Sequence, residues 1–154
     1  MANTHPDSIG YCGLCCADCF AHTGTIADLA RDLRKELRQA RFANTAETLS
    51  AVPFFQIFTG YPKCYEVLGA LVKFRCRRSC RGGGGNPQCR IRSCCQRKEL
   101  KGCWQCLEFE TCGKLEALAP AHGTAHIRNL RRLKKGGAAG FLKGKRDWFV
   151  RPAL

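Results

Sequence analysis

From Thr25 onward the apolar positions of "TIADLARDLRKELRQARF" recur every three or four residues. Ile26, Leu29, Ala30, Leu33, Leu37 and Ala40 share one side, with the charged residues opposite. That period predicts an amphipathic helix, with Thr25 and Asp28 spaced to cap its start. A second helix is expected in "NTAETLSAV", stopped by Pro53. The aromatic segment "PFFQIF" has no period and is expected to be buried. "YPKCYEVLGALVKF" reads as a third helix with Pro62 in its first turn. Its stripe of Cys64, Val67, Leu68, Leu71 and Val72 is expected to face a core, with Cys64 as a buried structural thiol. Further on, "GTAHIRNLRRLKK" predicts a basic helix with Ile127, Leu130 and Leu133 on one side, followed by a flexible "GGAAG". The apolar runs "VPFF" and "VLGALV" are too short to cross a bilayer, so no membrane association is expected.

Composition changes this helical picture. Thirteen cysteines among 154 residues exceed the roughly 8% that marks a cross-linked or metal-stapled scaffold. The N-terminal "MANTHPDSIG" has neither the basic nor the apolar region of a secretory signal, so the chain is expected to be cytoplasmic. There, thiols bind metal more readily than they form disulfides.

The cysteines form two clusters. In the second, Cys103 and Cys106 make a C-x-x-C, the turn length at which two thiolates meet one tetrahedral zinc ion at about 2.3 Å. Cys94 upstream and Cys112 downstream could close a four-sulfur site, and Cys76, Cys80 and Cys89 supply further sulfurs. The first cluster, "YCGLCCADC", reads in two ways. Cys12 and Cys15 form the half-site of a zinc ribbon. Alternatively Cys12, Cys16 and Cys19 form C-x-x-x-C-x-x-C, which can hold three irons of a cubane cluster. Neither reading completes a site. A fourth ligand must come from the second cluster, Cys80 being the first candidate, or from His22.

The combination of "YCGLCCADC", "CRIRSC", "CWQCLEFETC" and the ending "HIRNLRRLKKGGAAGFLKGKRDW" resembles a cysteine-rich prokaryotic family, domain of unknown function 3795. The resemblance implies metal binding by Cys12, Cys16 and Cys19, by Cys89 and Cys94, and by Cys103, Cys106 and Cys112. Cys15 and Cys95 are then additions of this chain, expected to be unused or partly buried. Cys76-Arg-Arg-Ser-Cys80 departs from the family's Cys-x-Gly-Cys pattern, so Cys80 carries over more firmly than Cys76. A redox role for the vicinal pair Cys15–Cys16 is the lesser expectation. The family implies no established activity.

Other features are expected to be structural. His122 and His126 lack the glutamate of a zinc-protease helix and read as surface histidines, and "GGGG" lacks the Lys-Ser/Thr of a phosphate loop and reads as a spacer. No Ser/His/Asp or paired-carboxylate arrangement stands out, so the sequence leans away from an enzyme. The formal charge is +14, and residues 73–101 carry ten Lys or Arg against Glu99 alone. Residues 128–151 carry nine against Asp147. Eight thiolates holding two zinc ions would lower the sum to about +10. The remaining excess suits nucleic acid or an acidic protein, with Trp104 and Trp148 available for base stacking.

The expectation is therefore a mainly α protein, a small helical domain with an irregular cysteine-rich metal-binding module. Residues 1–118 would form that domain, with clusters at 12–19 and 76–112, and the basic helical segment 119–154 would pack on it. Zinc in four-cysteine sites is the first expectation for the metal, a [4Fe–4S] cluster the alternative, and a zinc-stabilised nucleic-acid-binding module the third reading.

Overall fold

The computed structural model describes residues 5–151; residues 1–4 of the N-terminal stretch and 152–154 lie outside it. The described chain is mainly helical. In order, the α-helices are α1 (Phe20–Thr23), α2 (Thr25–Gln39), α3 (Phe42–Ser50), α4 (Tyr61–Lys73), α5 (Arg90–Arg97), α6 (Gly113–Glu116), α7 (Ala119–His122) and α8 (Ala125–Lys143). Short 3₁₀ turns lie between them, and the only β pairing among the described residues is two isolated bridges, Ile9 with Cys15 and Gly123 with Val150. The described chain divides into two compact units, 24–75 and a second made of 5–23 with 76–151.

The unit 24–75 follows the periodicity of its sequence closely. Helix α2 runs over the residues whose pattern predicts it, but the cap differs. Gly24 precedes the helix at φ 78°, Thr25 is already helical, and no side chain caps the end. Because Thr25 lies inside the helix it is not at the cap position, and Asp28 instead pairs with Arg31 at 2.8 Å and with Arg75. Helix α3 starts at Phe42, earlier than the polar pattern suggests. The Phe42 ring meets those of Phe58 and Tyr61 edge-on at 5.7 and 5.3 Å, and that packing anchors the first turn. Helix α4 carries Pro62 in its first turn, where its missing N–H costs no hydrogen bond.

Burial in this unit departs from expectation. "PFFQIF" forms a 3₁₀ segment, Pro53–Gly60, with Phe54 86% and Ile57 81% exposed. Cys64 and Val67 are also exposed, so Cys64 is not a buried structural thiol. The fully buried side chains of the unit are those of Ala27, Ala30 and Ala46. Small residues let the helices approach closely, and the large apolar side chains are displaced outward.

The second unit has the larger core. Ile9, Ile91, Phe109, Leu115, Leu130 and Leu133 pack together with Cys15, Cys95 and Cys103. Helix α8 supplies Leu130 and Leu133 as its pattern predicts, and continues through "GGAAG" with a kink at Gly137, φ 65°. That stretch is helical on both sides of the kink rather than a flexible linker, because Phe141 and Leu142 beyond it are buried in the same core. The C-terminal segment is tied back by a reciprocal pair: Asn129 Nδ2 donates to the Asp147 carbonyl at 2.8 Å, and the Asp147 N–H donates to Asn129 Oδ1 at 3.0 Å. Arg146 forms a two-pronged ion pair with Asp18, at 2.7 and 3.0 Å, linking that segment to the first cysteine cluster.

Candidate metal centre

The first cluster begins with a tight turn. Gly13 sits at φ 83°, and a Cβ there would lie 2.9 Å from Leu130 Cγ, so only glycine lets the turn lie against α8. The turn brings the Leu14 N–H to the Cys12 sulfur. Cys16 opens a 3₁₀ turn, Cys16–Asp18, and Cys19 ends it. Cys80 comes into this group from 64 residues away, its N–H donating to Cys16 Sγ at 3.5 Å.

Cys12, Cys80 and Cys89 lie close enough for their charges to interact, as do Cys16, Cys19 and Cys80. Burial of its sulfur pushes the Cys12 thiol up to about 12, with Cys80 and Cys89 adding to the rise while the Leu14 N–H opposes it. Burial likewise raises Cys16, against the Cys80 N–H. A thiol under these influences holds its proton until a cation takes the proton's place.

Cys89 caps α5, its sulfur accepting the Arg92 N–H at 3.5 Å. Cys76 is tied to α1 through its N–H to the Ala21 carbonyl at 2.8 Å, and its sulfur accepts the Gly85 N–H at 3.3 Å. Between Cys80 and Cys89 the "GGGG" loop wraps around buried Arg92. The guanidinium donates to the carbonyls of Cys80, Gly84, Asn86 and Pro87 at 2.8–3.2 Å. The loop is thus folded on an internal cation and is more than a spacer.

The second cluster shows an arrangement absent from its spacing. Cys95 and Cys103, both buried, have their sulfurs 3.6 Å apart. Their hydrogen bond lowers Cys95, helped by Arg81 and Lys98, and with burial raises Cys103. Cys103 also feels Cys12 and Cys112. The Cys103 N–H donates to the Tyr11 carbonyl at 2.9 Å, so the two clusters meet through backbone as well as sulfur.

Cys106 and Cys112 are half-buried against the same core. Cys94 is half-buried on α5. Cys15 is buried, its sulfur 3.5 Å from Ser8 Oγ. All thirteen cysteines are free. Among the described residues, no three His, Cys, Asp or Glu side chains converge closely enough to hold one ion as they stand.

The pattern alone missed Cys95, because Cys94 lies in better register with the expected ligands. Helical geometry gives the signal: adjacent positions on α5 differ by about 100° around the axis, so only one of the pair can face the core.

The remaining candidates fall elsewhere. His22 is half-buried, with Nδ1 buried and without a protein partner. His122 and His126 lie on different helices, and His126 is 3% exposed, which corrects the expectation of a surface residue. Trp104 is half-buried, with the Arg81 guanidinium 5.7 Å from its ring centre and 4.5 Å from that of Tyr11. Trp148 is half-buried and meets the His122 ring edge-on at 4.7 Å. No helix among the described residues is long and apolar enough to cross a membrane.

Fold and site together define a cysteine-rich, mainly helical protein whose reduced thiols gather from distant segments. The chain belongs to the family described as protein of unknown function (DUF3795), which it matches over residues 8–117. The matched region contains every cysteine and stops before α8. No curated protein and no solved structure matches the chain.

Proposed function

We propose that this is a metal-binding protein in which structural zinc, held by cysteine thiolates, supplements the core of the unit formed by 5–23 and 76–151. The observation that carries the reading is the set of backbone N–H groups aimed at cysteine sulfur: Leu14 at Cys12, Cys80 at Cys16, Gly85 at Cys76 and Arg92 at Cys89. Such donors stabilise a thiolate over a thiol and orient it for a metal. Clustered thiolates repel one another, and a divalent cation relieves that repulsion.

In this reading one group of sulfurs comprises Cys12, Cys16, Cys19, Cys76, Cys80 and Cys89. The other comprises Cys95, Cys103, Cys106 and Cys112, while Cys94 faces away from Cys95 on the same helix. Closed sites of this kind leave no position for a substrate, and the metal's contribution is to folding.

The test is to purify the chain without oxygen, record its visible spectrum, and measure metal and inorganic sulfide per chain. Colourless protein with bound zinc is expected. Brown protein carrying iron and sulfide would replace zinc with a [4Fe–4S] cluster and a role in electron transfer or redox sensing. Protein that is folded and free of metal would overturn both.

A further inference from the structure

The unit 24–75 contains a groove unrelated to the cysteines, of about 850 Å³, within the range of small-molecule sites. Its lining includes the aromatic residues Phe58, Tyr61 and Tyr65, the cations Arg38 and Arg41, and Asn44. The rings are held by their neighbours. Phe42 packs edge-on against Phe58 and Tyr61, Tyr61 lies 6.0 Å from Tyr65, and the Arg34 guanidinium covers Tyr65 at 4.4 Å.

Both lining arginines are exposed, and neither has an ion-pair partner among the described residues. Arg41 also adopts the left-handed conformation, φ 50°, in the turn between α2 and α3. A bulky side chain held there costs on the order of 1–3 kcal/mol, and such strain gathers at binding sites.

We infer that this groove binds a nucleotide, with the base against the aromatic wall and the phosphate on the Arg38–Arg41 pair. A guanidinium presents a planar fork of donors matched to phosphate oxygens. Aromatic rings offer a sequence-tolerant platform for a base. The Asn44 amide, with both donor and acceptor atoms, can pair with the base edge. The groove also contains Glu47, which repels phosphate placed next to it, so the phosphate is assigned to the arginines. A carboxylate ligand would satisfy the arginines but not the row of rings. The site is distinct from the basic stretches flanking Trp104 and Trp148, whose rings pack against Arg81 and His122 of the chain itself.

Free nucleotide and single-stranded nucleic acid share this chemistry, and one experiment separates them. The full chain is titrated into a fluorescein-labelled oligothymidylate ten nucleotides long at low salt. Anisotropy is followed, with competition by adenosine monophosphate and by unlabelled strand. Binding is expected, weakened at least about tenfold by Arg38→Ala with Arg41→Ala. The charge-matched pair Lys143→Ala with Lys145→Ala, on exposed positions of the other unit, should change it less than about twofold.

Competition by the monophosphate identifies a nucleotide pocket; competition by the strand alone identifies a single-strand groove. Absence of binding to both probes, or equal loss in the two double variants, overturns the inference. Both arginines are exposed, and circular dichroism of each variant checks its helix content.

Discussion

His126 illustrates how one residue's surroundings change its chemistry. Its sequence context is basic and polar, yet it is 3% exposed and its Nδ1 has no protein partner. Burial, with the neighbouring His122, lowers its pKa below the ordinary 6.5. Above that value the ring is neutral in folded and unfolded chains alike, and stability is unaffected. As pH falls through it, the unfolded chain takes up the proton first and stability declines. Urea denaturation between pH 7.5 and 5 should show that decline, and His126→Leu should flatten the part due to this ring. An unchanged slope would assign the decline to other groups. Nothing in "GTAHIRN" marks His126 as buried, because the helical period was drawn through Ile127, Leu130 and Leu133. The structure turns the buried face towards Ala125, His126, Asn129 and Leu130.

At the scale of elements, the helices were the most legible part. The 3.6-residue period located α2, α4 and the start of α8 because apolar spacing is set locally. It failed on which residues are buried, since that depends on what packs opposite. Phe54, Ile57 and Cys64 look like core in sequence, but in the unit 24–75 the buried helix positions are alanines. The cysteine segments carry no period, and Arg92 was invisible for the same reason: its four carbonyl partners come from an irregular loop.

Arg92→Lys keeps the charge but loses the fork that reaches four acceptors. It should lower the unfolding free energy by about 2–4 kcal/mol, read from the urea midpoint. If the sulfurs hold zinc as proposed, it should also weaken that binding about 10–100-fold in a chelator competition. If stability falls and zinc affinity is unchanged, the loop supports the fold without shaping the metal site.

For the molecule as a whole, the two cysteine clusters lie far apart in sequence but belong to one unit with α8. The spacing "C-x-x-C" raises the expectation of a metal site, while the contacts of Cys80 with Cys16 and of Cys95 with Cys103 are created only by the tertiary fold. The Asp18–Arg146 pair spans 128 residues, with side chains 27% and 18% exposed. Arg146→Gln should cost about 1–3 kcal/mol in urea unfolding, while a change within error would class it with surface pairs. The wrapped arginine has one more effect, on the direction of peptide groups. Carbonyls at 80, 84, 86 and 87 turn inward to the guanidinium, while the N–H groups of Cys80 and Gly85 turn to sulfur. The Gly84–Gly85 peptide does both, its carbonyl accepting from Arg92 and its N–H donating to Cys76 Sγ, so the guanidinium fixes the direction of that dipole. A buried cation thus orients a peptide group at a sulfur that it does not itself touch.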